Sequence, residues 1–109
     1  MSATPVVVTA SFHPAAGHRE SVLAALSRAI PRVHEEPGCN LYCVQEAPDG
    51  TILMIEHWDS AELLDAHGAG PAVADLNAEL EGHLAEPVTV TRLTAIPVGQ
   101  ASKGALLAV

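Results

Sequence analysis

At 109 residues the chain is long enough for one domain and too short for two. Five Lys and Arg against thirteen Asp and Glu give a formal net charge of −8, a surface that repels phosphate backbones and sets nucleic acid aside as a partner. Hydrophobic residues make up 49% of the chain but aromatics only 3%, so the core is aliphatic, and no run approaches the roughly 18 apolar residues of a membrane span.

In chain order, "PVVVTASFH" (5–13) is rich in β-branched residues and reads as a strand. The N-terminus has no basic region leading into an apolar run, so no secretory signal is expected and the cytoplasm is the expected location. After "PAAGH", Val22, Ala25, Leu26 and Ala29 recur at three and four residues, which predicts a helix over 18–30. Ile30 and Val33 continue that stripe past Pro31, which is expected to kink the helix or tighten its last turn. "EEPG" stops it, because the residue before proline disfavours the helical region and Gly38 permits positive φ.

"CNLYCVQEA" (39–47) and "TILMIEHW" (51–58) read as strands joined by a "PDG" turn, a hairpin signal. A helix is expected to open at Asp59 or Ser60, with Glu62 three residues after Asp59 in the manner of a capping box. Gly68 and Gly70 interrupt it, and Pro71 starts a second helical segment with Val73, Leu76, Leu80 and Leu84 as its stripe. "EPVTVTRLTAIP" (86–97) is the last expected strand. The domain is therefore expected over 1–97, with residues 98–109 as a tail.

Strand, helix, strand, strand, helix, strand is the order of the split βαβ, ferredoxin-like arrangement: an α+β fold with an antiparallel four-stranded sheet and helices on one face. "ILMI" (52–55) and "VVV" (6–8) are apolar on both strand faces, whereas a half-solvated sheet alternates apolar with polar. Two helices cover one face only. A homodimer with sheet packed on sheet is the expected partner arrangement.

"HEEPGCNLYC" (34–43) holds both cysteines and looks at first like a metal or redox centre. In a strand, Cys39 and Cys43 lie roughly 13 Å apart. That is beyond the about 7 Å between Cα atoms that a disulfide tolerates, and one zinc ion could not take both thiolates. Both are read as free thiols packed as small hydrophobes, with no metal site.

Several of these segments together resemble the antibiotic biosynthesis monooxygenase family, including its small quinol monooxygenases. The features that carry the resemblance are His34-Glu35-Glu36-Pro37-Gly38-Cys39, the following Tyr42, Glu56-x-Trp58, the helix start at Ser60, Asp65-Ala66-His67 and the ending "PVGQASKGAL". The resemblance implies a dimeric α+β barrel with a pocket in each subunit. It also implies oxidation of a small hydroquinone or phenol by dioxygen as co-substrate, with no flavin, haem or metal. At positions where polyketide-oxidising relatives carry Asn and Tyr, this chain has Met54 and Leu64. Haem degraders of the wider superfamily use an Asn on the first strand, which "VVVTASFH" lacks. A second reading, from a different class, is a non-catalytic barrel that binds a small hydrophobic ligand.

Such chemistry needs a base to deprotonate the phenol and an apolar pocket that shields the anion. His67 is the first candidate for the base, because it shares a helix face with Leu63 and Leu64; packing at the helix end by Gly68 is the alternative. Trp58 matches the family tryptophan of the pocket wall, where its indole N–H would hold a substrate oxygen or dioxygen; a core aromatic is the alternative. Glu56 shares the strand face of Trp58 and either serves the site or pairs with Arg92. Tyr42 and Asn77 complete the substrate-binding candidates. His13, His18 and His83 read as exposed, His34 as part of the helix-closing turn, and His57 as facing away from Trp58.

Overall fold

The structure, a computed structural model, describes residues 4–107. Its elements are β1 (Val6–Phe12), α1 (Arg19–His34), β2 (Cys39–Glu46), β3 (Ile52–Trp58), α2 (Ala61–Gly68), α3 (Pro71–Leu80) and β4 (Thr89–Leu93). The four strands form one antiparallel sheet in the order β2-β3-β1-β4, which is the α+β ferredoxin-like arrangement expected from the sequence. No described helix is long and apolar enough to cross a membrane.

Strand alternation sorts the sheet into two faces. Val8, Ala10, Phe12, Ile52, Met54 and Trp58 point to the helix side and are buried there against Val22, Ala25, Leu26, Ala29 and Val33 of α1. The apolar stripe of α1 is thus the predicted one. The helix runs through Pro31 to His34, and its last turn tightens: the N–H groups of Glu35 and Glu36 reach the carbonyls three residues back, Arg32 and Val33, at 3.2 and 3.0 Å. Val7, Thr9, Leu53 and Ile55 face the other way, away from the core under α1, and stay only half-buried.

Several details differ from expectation, among them the end of α3 at Leu80, short of Leu84, which instead bridges to Pro14. Ser60 alone caps α2, its Oγ accepting from Leu63 N–H at 3.2 Å, while Asp59 accepts from Asn40 Nδ2 at 2.7 Å. A carboxylate already held by a neighbour is not free to cap. The last strand is Thr89–Leu93, shorter than 86–97, because β1 pairs with it only from Val7 to Ser11 and Pro87 and Pro97 have no N–H to extend the ladder. A bulge between Cys39 and Leu41 then sets Cys39 opposite Trp58, packed on the core, while Cys43 lies opposite Ile55 on the open face. Both cysteines are free.

Candidate active site

α2 is a short helix whose buried residues are Leu64 and His67, three apart on the side facing the sheet. His67 is 8% exposed and lies over Trp58, ring centroids 4.6 Å apart and tilted by 33°, with Tyr42 meeting it edge-on at 5.5 Å. Its Nδ1 is 2.6 Å from Glu36 Oε1. Beneath it, Trp58 Nε1–H donates to Glu56 Oε1 at 2.9 Å.

Beside this cluster a partly open cavity of 240 Å³ lies between α2, α3 and the helix-side face of β1, β3 and β4. Its wall is mostly apolar, with Val8, Ala10, Phe12, Leu64, Val73 and Leu76. The polar groups on it are Tyr42, Glu56, His67, Asn77 and Arg92. The register explains the convergence: Tyr42 pairs with Glu56, Glu56 with Val8, and Val8 with Arg92, so one transverse row of the sheet supplies three of the five. His67 and Asn77 come from the helices above. Asn77 is exposed, at the rim.

Two expectations are corrected. Trp58 is fully buried and is not a cavity residue; its indole N–H, expected to hold a substrate oxygen or dioxygen, is used by Glu56. Strand alternation places both side chains on the same face, and the longer indole reaches under the carboxylate. Arg92 does not pair with Glu56 either. It donates to Asp65 Oδ1 at 2.6 Å, and both partners are exposed at the cavity mouth. Its guanidinium takes the solvated carboxylate, which costs less desolvation than reaching the buried one. Glu36, in the turn that ends α1, is a site residue that no sequence pattern singles out. No periodicity marks it, since its neighbour on α2 is 31 residues away.

The electrostatics follow from burial. Burial pushes the Glu56 carboxyl above the ordinary carboxylate range, with nearby Glu36 adding to the shift and the Trp58 N–H and His67 opposing it. Tyr42 is pushed up for the same first reason, burial, and then by Glu56 and Glu36, so its phenol stays neutral at physiological pH. Burial likewise raises the Cys39 thiol. Among the described residues no group of three or more His, Cys, Asp or Glu is placed to hold a metal ion. The remaining histidines sit away from the cavity. His34 Nε2–H donates to the Tyr42 carbonyl at 2.9 Å, His57 lies 3.2 Å from Asn40 Nδ2, and His13 reaches Glu86. His18 and His83, read as exposed, are half-buried because their Nδ1 atoms meet at 2.8 Å.

Comparison with known proteins fits this geometry. The antibiotic biosynthesis monooxygenase family matches residues 5–79, which span every element from β1 to α3 but the last residue of that helix. The chain belongs to the antibiotic biosynthesis monooxygenase family. Rv0793 of Mycobacterium tuberculosis, by name a monooxygenase, is 33% identical over 100 residues, covering 91% of this chain and 97% of that protein. Its solved structure superposes with a TM-score of 0.80 over 90% of this chain and 99% of that one, at 32% identity. YgiN of Escherichia coli, by name a quinol monooxygenase, is 29% identical over 92 residues, 74% of this chain and 88% of that protein. PA3566 of Pseudomonas aeruginosa shares the fold at a TM-score of 0.80 and 22% identity, covering 88% of this chain and 98% of that one. The cavity thus lies on the helix side of a sheet shared with relatives such as Rv0793 and YgiN, which carry monooxygenase names.

Proposed function

We propose that the chain is a cofactor-independent monooxygenase that oxidises a small hydroquinone or related phenol with dioxygen. The observation that carries this reading is the apolar cavity with His67 and Glu56 on its wall. Cavities of roughly 150 Å³ accommodate benzene. A space of 240 Å³ therefore suits one substituted ring or two fused rings better than a polycycle. The name of YgiN favours the hydroquinone end of that range.

His67 accepts a phenolic proton. The resulting anion is electron-rich enough to reduce dioxygen, and the apolar wall keeps water from the intermediate. For an unsubstituted hydroquinone, carbon beside the phenolate bonds to one oxygen atom and the O–O bond then breaks. That atom stays on the ring, and the other leaves as water with the two hydrogens lost in forming the hydroxyquinone. Four electrons leave the ring and four enter dioxygen, so no external reductant is needed. Tyr42, Asn77 and Arg92 orient the ring from the floor and mouth of the cavity.

Oxygen-electrode measurements with a panel of hydroquinones, mixed anaerobically and then exposed to oxygen, test the reading. Uptake above the spontaneous rate that falls by roughly 100-fold or more in His67→Ala is the expected result. No enzymatic uptake with any phenol, or full activity in His67→Ala, overturns it. Ligand-induced thermal stabilisation without turnover would favour the non-catalytic binding reading instead.

The protein is also proposed to act as a homodimer through the open sheet face. Supporting this, rows such as Leu41–His57–Val7–Leu93 and Cys43–Ile55–Thr9–Thr91 cross that face without a Lys, Arg, Asp or Glu. A second copy offers the same apolar surface in return.

A further inference from the structure

We propose that Glu36 is a positioning residue that holds His67 in its Nδ1–H tautomer and so leaves the Nε2 lone pair open toward the cavity. As a statement about catalysis this rests on His67 being the base; as a statement about the imidazole it does not.

The turn after α1 is built to deliver this carboxylate. Pro37 prevents further helix, and Gly38 adopts φ +81°, a conformation that favours glycine. A Cβ at Gly38 would come within 2.5 Å of Leu63 Cδ1, so any other residue here would have to push the Leu63 side chain aside. The Gly38 carbonyl accepts from Asp59 N–H at 3.0 Å, which fastens the turn to the junction between β3 and α2. Leu63 and His67 are four residues apart on α2 and therefore neighbours on one face. The turn packs on Leu63 through Gly38 and reaches His67 through Glu36.

The contact also fixes where the proton sits. An ionised carboxylate only accepts hydrogen bonds, so the 2.6 Å contact requires hydrogen on Nδ1. In a neutral imidazole the other nitrogen then carries the lone pair. Among the described residues no buried side-chain N or O atom lacks a partner, and Nε2 of His67 makes no hydrogen bond; it is therefore an open atom. His67 lines the cavity and Glu36 does not, so the ring edge away from Glu36, the edge that carries Nε2, is the one left for the substrate side. Trp58 under the ring and Tyr42 at its edge resist rotation. The other charged groups around the cavity are Glu56 of β3, tied to Trp58, and Arg92 of β4, tied to Asp65, so neither competes for Nδ1.

Nitrogen-15 NMR of histidine-labelled full-length protein reads the tautomer directly and needs no catalysis. With the imidazole in its neutral form, reached by raising the pH, the wild-type His67 signal should show a protonated Nδ1 and an unprotonated Nε2. Glu36→Ala should move it toward a mixture of tautomers and lower turnover by about tenfold or more. A wild-type spectrum with Nε2 protonated overturns the proposal whether or not the variant folds, and so does an unchanged tautomer in a folded Glu36→Ala protein. The expected spectrum together with no phenol oxidation would leave Glu36 in its positioning role and remove the monooxygenase reading alone.

Discussion

Trp58 and Glu56, two residues apart on β3, are joined by a hydrogen bond of 2.9 Å from the indole N–H to Oε1. The single tryptophan of the chain therefore serves the cavity indirectly, as a donor behind a buried carboxyl group and a platform under His67. Trp58→Phe removes the donor and leaves much of the ring. Glu56 then loses its only side-chain partner among the described residues while remaining 5% exposed. An unpartnered buried group costs about 1–3 kcal/mol, and the smaller ring adds a packing loss. Urea denaturation should place the variant about 2–4 kcal/mol below wild type. A loss confined to a few tenths would mean that this hydrogen bond matters little to the fold.

Glu56 also carries a pH signature. Burial raises its carboxyl above its ordinary value of 4.5 in the folded chain, whereas the unfolded chain leaves it near that value. Below that pH the group is neutral in both states and makes no difference. Between 4.5 and the raised folded value the folded state holds more protons than the unfolded one, so this group makes stability fall as pH rises. Above the folded value the penalty is constant. Glu56→Gln removes the titration and keeps an oxygen for Trp58 to donate to. It should raise the melting temperature at neutral pH, with the gain disappearing in acid below the carboxylate range. A variant less stable than wild type at neutral pH and indistinguishable from it in acid would reverse the sign and refute the argument.

Much of this was legible in the chain because one-dimensional periodicity maps onto faces. The α1 stripe from Val22 to Val33, the hairpin around Gly50 and the start of α3 at Pro71 follow from local rules, and the sheet order follows from them. Tyr42, Glu56, His67, Asn77 and Arg92 converge on one cavity because alternation and helical spacing had already put them on inward faces. What local rules miss are pairings set by three-dimensional register. Arg92 meets Asp65 and not Glu56, the Trp58 N–H turns to Glu56, and Glu36 meets His67 across 31 residues. The bulge at Asn40, which separates the two cysteines onto different faces, likewise has no sequence mark.

Gly38 offers a test of the turn that carries Glu36. Its φ of +81° disfavours any residue with a Cβ, by about 1–2 kcal/mol. The added atom would also press on Leu63 Cδ1, the flexible end of a side chain that can move aside at modest further cost. Gly38→Ala should therefore destabilise the chain by about 1–3 kcal/mol by urea denaturation, and the displaced turn should disturb the tautomer of His67 as well. Substituting Gly17, which has positive φ but nothing near its Cβ position, is the control: it should cost backbone strain alone and leave His67 untouched. Equal effects on His67 from both variants would show that the Gly38 turn has no special connection to the site.

The open sheet face makes the last prediction. Leu53 and Ile55 of β3 lie on it and are only half-buried, although aliphatic residues in mid-strand of an inner strand ordinarily find cover. β3 and β1 are the two inner strands, so this is the centre of the face and not its edge. Leu93 in β4, and Ile96 and Val98 in the segment after it, are exposed apolar residues as well, Ile96 at 83%. Apolar residues left open at the centre of a sheet face mark an interaction surface more often than free surface. Light scattering at micromolar concentration should give the mass of two chains. Ile55→Asp places a charge at the centre of the proposed interface without touching the helix-side core, so it should yield a monomer whose circular dichroism is that of wild type. A wild-type monomer, or an Ile55→Asp protein that still elutes as a dimer, would mean that the face is covered in some other way.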